Sequence, residues 1–184
     1  MKIRKLWWWL RLLLRRPFFN KIGKSSYLGP SVSLIGTKNI TIGNQVRIFP
    51  GNRMETYNSG TIIIEDNCSI GQNFHIISDK TNLLIGKNTT ISGNVFITNV
   101  NHSYEKIDIH ILEQPMKNIE TTIGDNCFIG FGVAIQAGTK LGKQCIVGSN
   151  SVVKGEFPDY SVIVGSPAKI IKTFNKETLQ WEKV

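Results

Sequence analysis

The chain has 184 residues, of which 41% are hydrophobic and 19% charged, ordinary values for a single soluble domain with enough apolar material for a core. Its net charge of +9 is concentrated. Residues 1–24 hold eight Lys or Arg and no acid, which leaves 22 − 8 = 14 basic against 13 acidic residues in the rest. The body is therefore nearly neutral, which excludes the broad phosphate-binding surface of a nucleic-acid partner.

Residues 1–20 form the first unit. In KIRKLWWWLRLLLRRPFF, Ile3, Leu6, Trp7, Leu10, Leu13 and Leu14 follow i, i+3, i+4, i+7 spacing, with Arg4, Arg11 and Arg15 beside them. This spacing predicts a basic amphipathic helix that ends before Pro17. Arg11 interrupts an apolar run already too short to span a bilayer, and no small-residue cleavage site follows, so the segment reads as neither a span nor a signal peptide. Three adjacent Trp with six Lys or Arg by residue 16 suit a helix in the headgroup layer of an anionic membrane. Residues 1–19 would then make a peripheral contact with the inner face of the cytoplasmic membrane, and the protein would be cytoplasmic. The alternative is a helix that caps the open end of the fold or packs on a neighbouring subunit.

From residue 21 an aliphatic recurs every six positions: Ile22, Leu28, Leu34; Ile42, Ile48; Ile64, Ile70, Ile76; Ile85, Ile91, Ile97; then Ile123, Ile129, Ile135, Leu141, Val147 and Val153 in strict register. Neither a helix nor a plain strand makes six the unit of repetition. A short strand plus a corner does. Three such units close a triangular coil, coils stack through parallel backbone hydrogen bonds, and the aliphatic at each corner points inward, so an all-β solenoid is predicted over residues 21–164. Cys68, Cys127 and Cys145 each lie four places after an aliphatic, which reads as small packing residues in a reducing compartment rather than a disulfide or metal set.

The register lapses over Phe49–Thr61, around Thr81–Leu84, and over Asn99–Thr122. Insertions in a solenoid emerge as loops on one face, where binding and chemistry tend to sit. His102 ends the Ile97 unit and opens the excursion NVNHSYEKIDIHILEQPMKNIETT, so its imidazole stands at a fixed edge beside a flap, suited to general-base work near neutral pH. His75 ends the Ile70 unit, which predicts a different corner from His102. His75 and His110 are read as surface or loop residues, not ligands, and no metal is expected.

The hexapeptide run, the histidine-bearing loop, the renewed IGDNCFIGFGVAIQAGTKLGKQCIVGSNSVV and the ending VIVGSPAKIIK together resemble the hexapeptide-repeat acyltransferases over residues 22–174. Within them the chain is most similar to the maltose, galactoside and xenobiotic O-acetyltransferase branch. The segment HSYEKIDIHILEQP further resembles members that O-acetylate bacterial surface polysaccharides. The resemblance implies a left-handed parallel β-helix assembled as a homotrimer with active sites between subunits, and acetyl-CoA as co-substrate. It implies that His102 is the catalytic base for a hydroxyl of a glycan acceptor, in a surface polysaccharide or a lipid-linked precursor. Gly130, Ser149, Lys154, Gly165, Lys169 and Lys172 are implied to contact the coenzyme, the last three within a C-terminal segment over 165–184. On the acceptor side it implies Asp79, with a plain turn residue as the alternative. Phe128 stands in place of a frequent Trp wall, and Asn99 stands where polysaccharide-modifying relatives often carry an Asp that orients the base. Gly71 stands where the sugar enzymes offer an Asn, which points to a different acceptor. N-acetylation of a nucleotide-linked amino sugar, a zinc site like that of the gamma carbonic anhydrases, and a non-catalytic scaffold are the other readings considered.

Overall fold

The structure, a computed structural model, describes residues 3–184, with side chains from Lys5 onward. The roles expected for the side chains of Lys2, Ile3 and Arg4 lie outside the described residues. After helix α1 (Ile3–Arg15) and a 3-10 turn (Arg16–Phe18), the chain winds through short strands into three stacked sheets of seven, nine and six strands. We call these faces A, B and C. Six coils, over residues 21–35, 40–57, 61–79, 82–98, 121–135 and 140–153, each place one strand on every face.

The period of six becomes three interior columns. On face A, Ile22, Ile42, Ile64, Ile85, Ile123 and Leu141 pair rung to rung. On face B the column is Leu28, Ile48, Ile70, Ile91, Ile129 and Val147. On face C it is Leu34, Met54, Ile76, Ile97, Ile135 and Val153. All but Leu34 are buried, and burying each such side chain contributes roughly 1.5–3 kcal/mol. On faces A and B each of these aliphatics is the last residue of its strand, at the entry to the corner where the six-residue period places it. The corners are turns whose tips are often Asn: Asn67, Asn73, Asn88, Asn94, Asn126 and Asn150 adopt φ of 56 to 59°, a left-handed conformation that Asn tolerates better than most residues. Their amides also stack, Asn67 Nδ2 donating to Asn88 Oδ1 and Asn73 Nδ2 to Asn94 Oδ1, both at 2.9 Å. The three cysteines are free and buried, as expected, with Cys68 Sγ donating to Gly86 O at 3.1 Å. Burial pushes the Cys68 thiol up to about 11.

Two of the register lapses are not loops. Met54 occupies the aliphatic slot six residues after Ile48, so the period holds through it, and the extra residues lengthen the face-C strand Asn52–Tyr57. The slip after Ile76 likewise lengthens the strand His75–Asp79. Only the third lapse leaves the solenoid. There Val100–His102 and Met116–Asn118 form an antiparallel ribbon, and coil five resumes at Thr121.

Helix α1 caps the open end of the solenoid with Trp8 and Leu12, not with the stripe identified from spacing. Leu12 joins the core, and Trp8 forms an aromatic trio with Tyr27 and Phe49 at centroid separations of 5.9 and 6.2 Å. Arg16 anchors the following turn through Nη2 to Ile22 O at 2.9 Å. At the far end, strand Ser161–Gly165 turns into Ala168–Asn175, which runs antiparallel to it and then pairs with Gln180–Lys183. Among the described residues no helix is long and apolar enough to cross a membrane.

Candidate active site

The lengthened strands of face C build one wall of a cleft. Tyr57 from coil two, Asp79 from coil three, Phe96 from coil four and Gln136 from coil five line it in order, and His102 and Met116 of the ribbon close its side. Its volume of 640 Å³ falls within the ~300–1,000 Å³ of small-molecule sites. Sequence reasoning missed Tyr57, Phe96, Met116 and Gln136. The lapse in the register after Met54 was the available signal for Tyr57, because it lengthens the strand that ends at the cleft.

Tyr57 is held in place by a buried carboxylate. Glu55 accepts from Arg53 Nε and Nη2 at 2.7 and 2.8 Å, from Ser33 Oγ at 2.6 Å and from the Tyr57 hydroxyl at 3.0 Å. The Arg53 guanidinium draws the Glu55 pKa down to about 2, against the opposing effect of burial.

Asp79 is buried at the cleft edge, its Oδ1 accepting from Asn58 Nδ2 at 2.6 Å and its Oδ2 from Asn118 Nδ2 at 3.1 Å. Each carboxylate oxygen keeps a further lone pair for a ligand hydroxyl. The carboxylate thus bridges the coil-two corner to the base of the ribbon. Asn99 does not meet His102. It is fully buried, its Oδ1 accepts from the Asp79 N–H at 2.9 Å, and its Nδ2 donates to Ser78 Oγ, Thr81 O and Thr81 Oγ1. Asn99, at the position where relatives carry an orienting Asp, instead fixes the backbone under Asp79.

His102 ends the ribbon strand opposite Met116 and is half-buried. Its Nδ1 is shielded from solvent and has no hydrogen-bond partner among the described residues. The ribbon is braced by Gln114, whose buried amide holds Lys106 through both N–H and C=O, and by a Lys117–Glu105 ion pair. His110 caps a local turn by accepting from Leu112 N at 3.3 Å, as a loop residue. His75 departs from expectation in standing on a face-C strand rather than in a loop, paired with Phe96 in register, while His102 stands on the separate ribbon. Its ring packs edge-on against Phe96 at 5.1 Å, and burial lowers its pKa. Among the described residues no group of three His, Cys, Asp or Glu side chains is placed to hold a metal.

The residues expected at the coenzyme stand on the later coils, outside the cleft's lining. Gln136 donates its N–H to Val153 O at 2.9 Å, so exposed Lys154 lies one rung beyond Gln136 along the same face. Ser149 is exposed at the next corner, and Gly165 approaches that corner through its N–H to Ser151 Oγ at 3.0 Å, with φ of 104° that favours glycine. Lys169 and Lys172 lie on the strand Ala168–Asn175; Lys169 is exposed and Lys172 half-buried. Gly130 is different. Its N–H already donates to Val147 O, and a Cβ there would stand 2.6 Å from Ser149 N, so this glycine serves the close stacking of coils and offers no donor to a ligand. Phe128 is exposed on face B, outside the cleft of its own chain.

A solenoid of hexapeptide coils interrupted by one histidine-bearing ribbon defines a parallel β-helical architecture with one edge cleft. The model of the bacterial transferase hexapeptide (six repeats) matches residues 120–155, and that of the hexapeptide repeat of succinyl-transferase matches residues 61–99. WbbJ of Escherichia coli K12, named for O-acetyl transfer in lipopolysaccharide biosynthesis, is 36% identical over 151 residues, 78% of this chain and 76% of the relative. The Mycobacterium tuberculosis acetyltransferase Rv3034c is 30% identical over 97% of this chain, which spans 58% of that longer relative. An Escherichia coli dTDP-4-amino-4,6-dideoxy-D-glucose acyltransferase is 30% identical over 93% of this chain and 91% of its own. Among solved structures, the N-acyltransferase AntD from Bacillus cereus superposes with a TM-score of 0.76 over 91% of both chains at 19% identity, a likeness of fold. The chain belongs to the hexapeptide-repeat acyltransferases, in the maltose, galactoside and xenobiotic acetyltransferase-like branch, and its fold is their left-handed parallel β-helix.

Proposed function

We propose that this protein moves an acetyl group from acetyl-CoA to a hydroxyl of a sugar in a bacterial surface polysaccharide or a lipid-linked glycan precursor. The observation that carries this is the position of His102, at the mouth of a cleft with Asp79 and Tyr57 on one side and the rung leading to Lys154 on the other. In this reading His102 takes the proton of the acceptor hydroxyl as its oxygen attacks the thioester carbonyl; the tetrahedral intermediate then expels the CoA thiolate, which takes up a proton. Asp79 accepts a hydrogen bond from a second acceptor hydroxyl and fixes the ring. Lys154, Lys169 and Lys172 meet coenzyme phosphates as point charges, and the Gly165 turn lets the pantetheine arm pass close to backbone.

A homotrimer completes the site. Phe128 faces away from its own cleft, and the ribbon exposes Ile107, Leu112 and Met116, so a neighbouring copy would cover the ribbon and turn Phe128 toward the adjoining acceptor pocket. The buried Nδ1 of His102 would find its partner across the same boundary.

N-acylation of a nucleotide-linked amino sugar is a second reading, favoured by the near full-length match to the dTDP-amino-sugar acyltransferase. One assay separates the two. Purified protein is given acetyl-CoA with either surface-glycan fragments or a dTDP-amino sugar, CoA thiol release is followed, and the product mass and linkage are read by mass spectrometry. Base-labile ester on a glycan supports the first reading, and an amide on the amino sugar replaces it with the second.

A further inference from the structure

Helix α1 has two working faces, and only one is accounted for by the solenoid. Trp8 and Leu12 are 6% and 2% exposed against the first coils, while Lys5 lies over the rings of Tyr27 and Phe49 at about 5.5 Å. The stripe on the other side is uncovered. Leu6, Trp7, Leu10, Leu13 and Leu14 are exposed, Trp7 by 67% and Leu14 by 79%, and Phe18 continues the patch at 62%. A monomeric surface rarely leaves so much contiguous apolar area to water.

The charge around this patch is of one sign. The first acidic residue of the chain is Glu55, so residues 1–54 carry eleven Lys or Arg and no Asp or Glu, while residues 55–184 carry 22 − 11 = 11 basic against 13 acidic. The molecule is thus polarised along its long axis, strongly basic at the α1 end and slightly acidic beyond it. Arg11, Lys21 and Lys24 are exposed at that end. A second copy of the same surface would meet like charge. An anionic bilayer would meet opposite charge, with indole and leucine side chains entering the headgroup boundary and guanidinium groups on phosphates.

We propose that the outward stripe of α1 seats the protein end-on upon an anionic membrane while the inward face of the same helix caps the solenoid. Resting on the acyl-transfer reading, the acceptor wall of the cleft begins at Tyr57 in coil two and His102 follows on the ribbon that leaves coil four. At about 4.8 Å per coil, the base stands roughly 15 Å above the seated end, and the lysines proposed for the coenzyme lie farther out still. That order presents the acceptor side to the bilayer and the coenzyme side to solution, which fits a sugar carried on a lipid.

The test is co-sedimentation of the full chain with vesicles of phosphatidylglycerol and phosphatidylcholine, against vesicles of phosphatidylcholine alone. Binding is expected to the anionic vesicles only and to fall on adding salt. The triple substitution Trp7→Ser, Leu10→Ser, Leu14→Ser is expected to weaken it by about tenfold or more without lowering the thermal midpoint. His102→Ala should sediment as the unsubstituted chain does, so a failure of the seating is distinguishable from a failure of the chemistry. Absence of sedimentation, sedimentation that the triple substitution leaves unchanged, or a scattering mass that the triple substitution lowers with no vesicle binding would each overturn the proposal, the last by assigning the stripe to a second copy.

Discussion

Faces A and B differ from face C in one respect that organises the molecule. On face B most coil strands are two residues long, as at Ser69–Ile70, Thr90–Ile91 and Phe128–Ile129, while face-C strands run to six and five residues at Asn52–Tyr57 and His75–Asp79. The inward column is equally regular on all three. Additional residues are therefore stored at one corner without disturbing the core, and what they build is the wall of the cleft. The same corner of coil four releases the ribbon with His102. Regularity gives the stack its stability, and departures confined to one edge give it a site.

The sharpest way to break that comparison is to strike each part separately. His102→Ala should lower acyl transfer by about 10²–10⁴-fold, the usual contribution of a general base, with no change in thermal midpoint. CoA thiol release and calorimetry on the same sample read both. Ile129→Ala, inside a regular coil, should do the reverse. The side chain is fully buried in the face-B column, so its loss should cost about 2–5 kcal/mol in denaturant unfolding while residual activity per folded molecule is kept. A change in activity from Ile129→Ala as large as that from His102→Ala would mean that core and edge are not separable.

Much of this was legible in the sequence for a physical reason: a six-residue spacing places the same side chain on the same rung of every coil, so spacing alone predicts a column. Met54 escaped because an unbranched thioether filled a slot marked elsewhere by Ile, Leu or Val. The strand extensions read as loops because a period reports where it lapses, and not whether the chain stays hydrogen-bonded while it does. His102 was legible because it lies at the start of the long excursion. Asn99 was not, since its partners at Ser78, Asp79 and Thr81 lie about one coil earlier, a juxtaposition that only stacking creates. The same holds for Gly130, whose neighbour is the backbone of the next coil. In α1 the stripe was correct as a stripe, but a helix with apolar residues on most sides offers two faces, and spacing cannot say which one docks.

Asn99 and Asp79 give the intermediate test of the edge. Asn99→Ala leaves the Asp79 N–H without its buried acceptor and removes one donor from Ser78 Oγ, which still donates to Thr81 O, and should cost about 1–3 kcal/mol of stability. If Asn99 acts by holding Asp79 in position, the acceptor KM should rise several-fold while the pH dependence of kcat stays where it was. Asp79→Ala should raise the same KM further. A shifted pH profile in Asn99→Ala would instead tie this residue to the imidazole and contradict the geometry.

The smallest effect is expected at Glu55, two residues before Tyr57 of the cleft wall. Its carboxylate is 1% exposed and lies far below its ordinary 4.5, at about 2, because Arg53 donates two hydrogen bonds to it. A folded-state value below the unfolded one means stability that is complete above about pH 4.5 and disappears as pH falls toward 2. The full shift would overstate it, since the Arg53 side chain is 43% exposed and water screens the pair, so about 1–2 kcal/mol is expected. Glu55→Gln should therefore be less stable than the parent by a constant amount near neutrality, and the two unfolding curves should converge between pH 4.5 and 2. Tyr57 loses its charged acceptor in the same variant, so a modest rise in acceptor KM should accompany the change in stability. Curves that stay parallel down to pH 2 would show that the Arg53–Glu55 pair contributes nothing to folding, and that the wall carrying Tyr57 is held by backbone pairing alone.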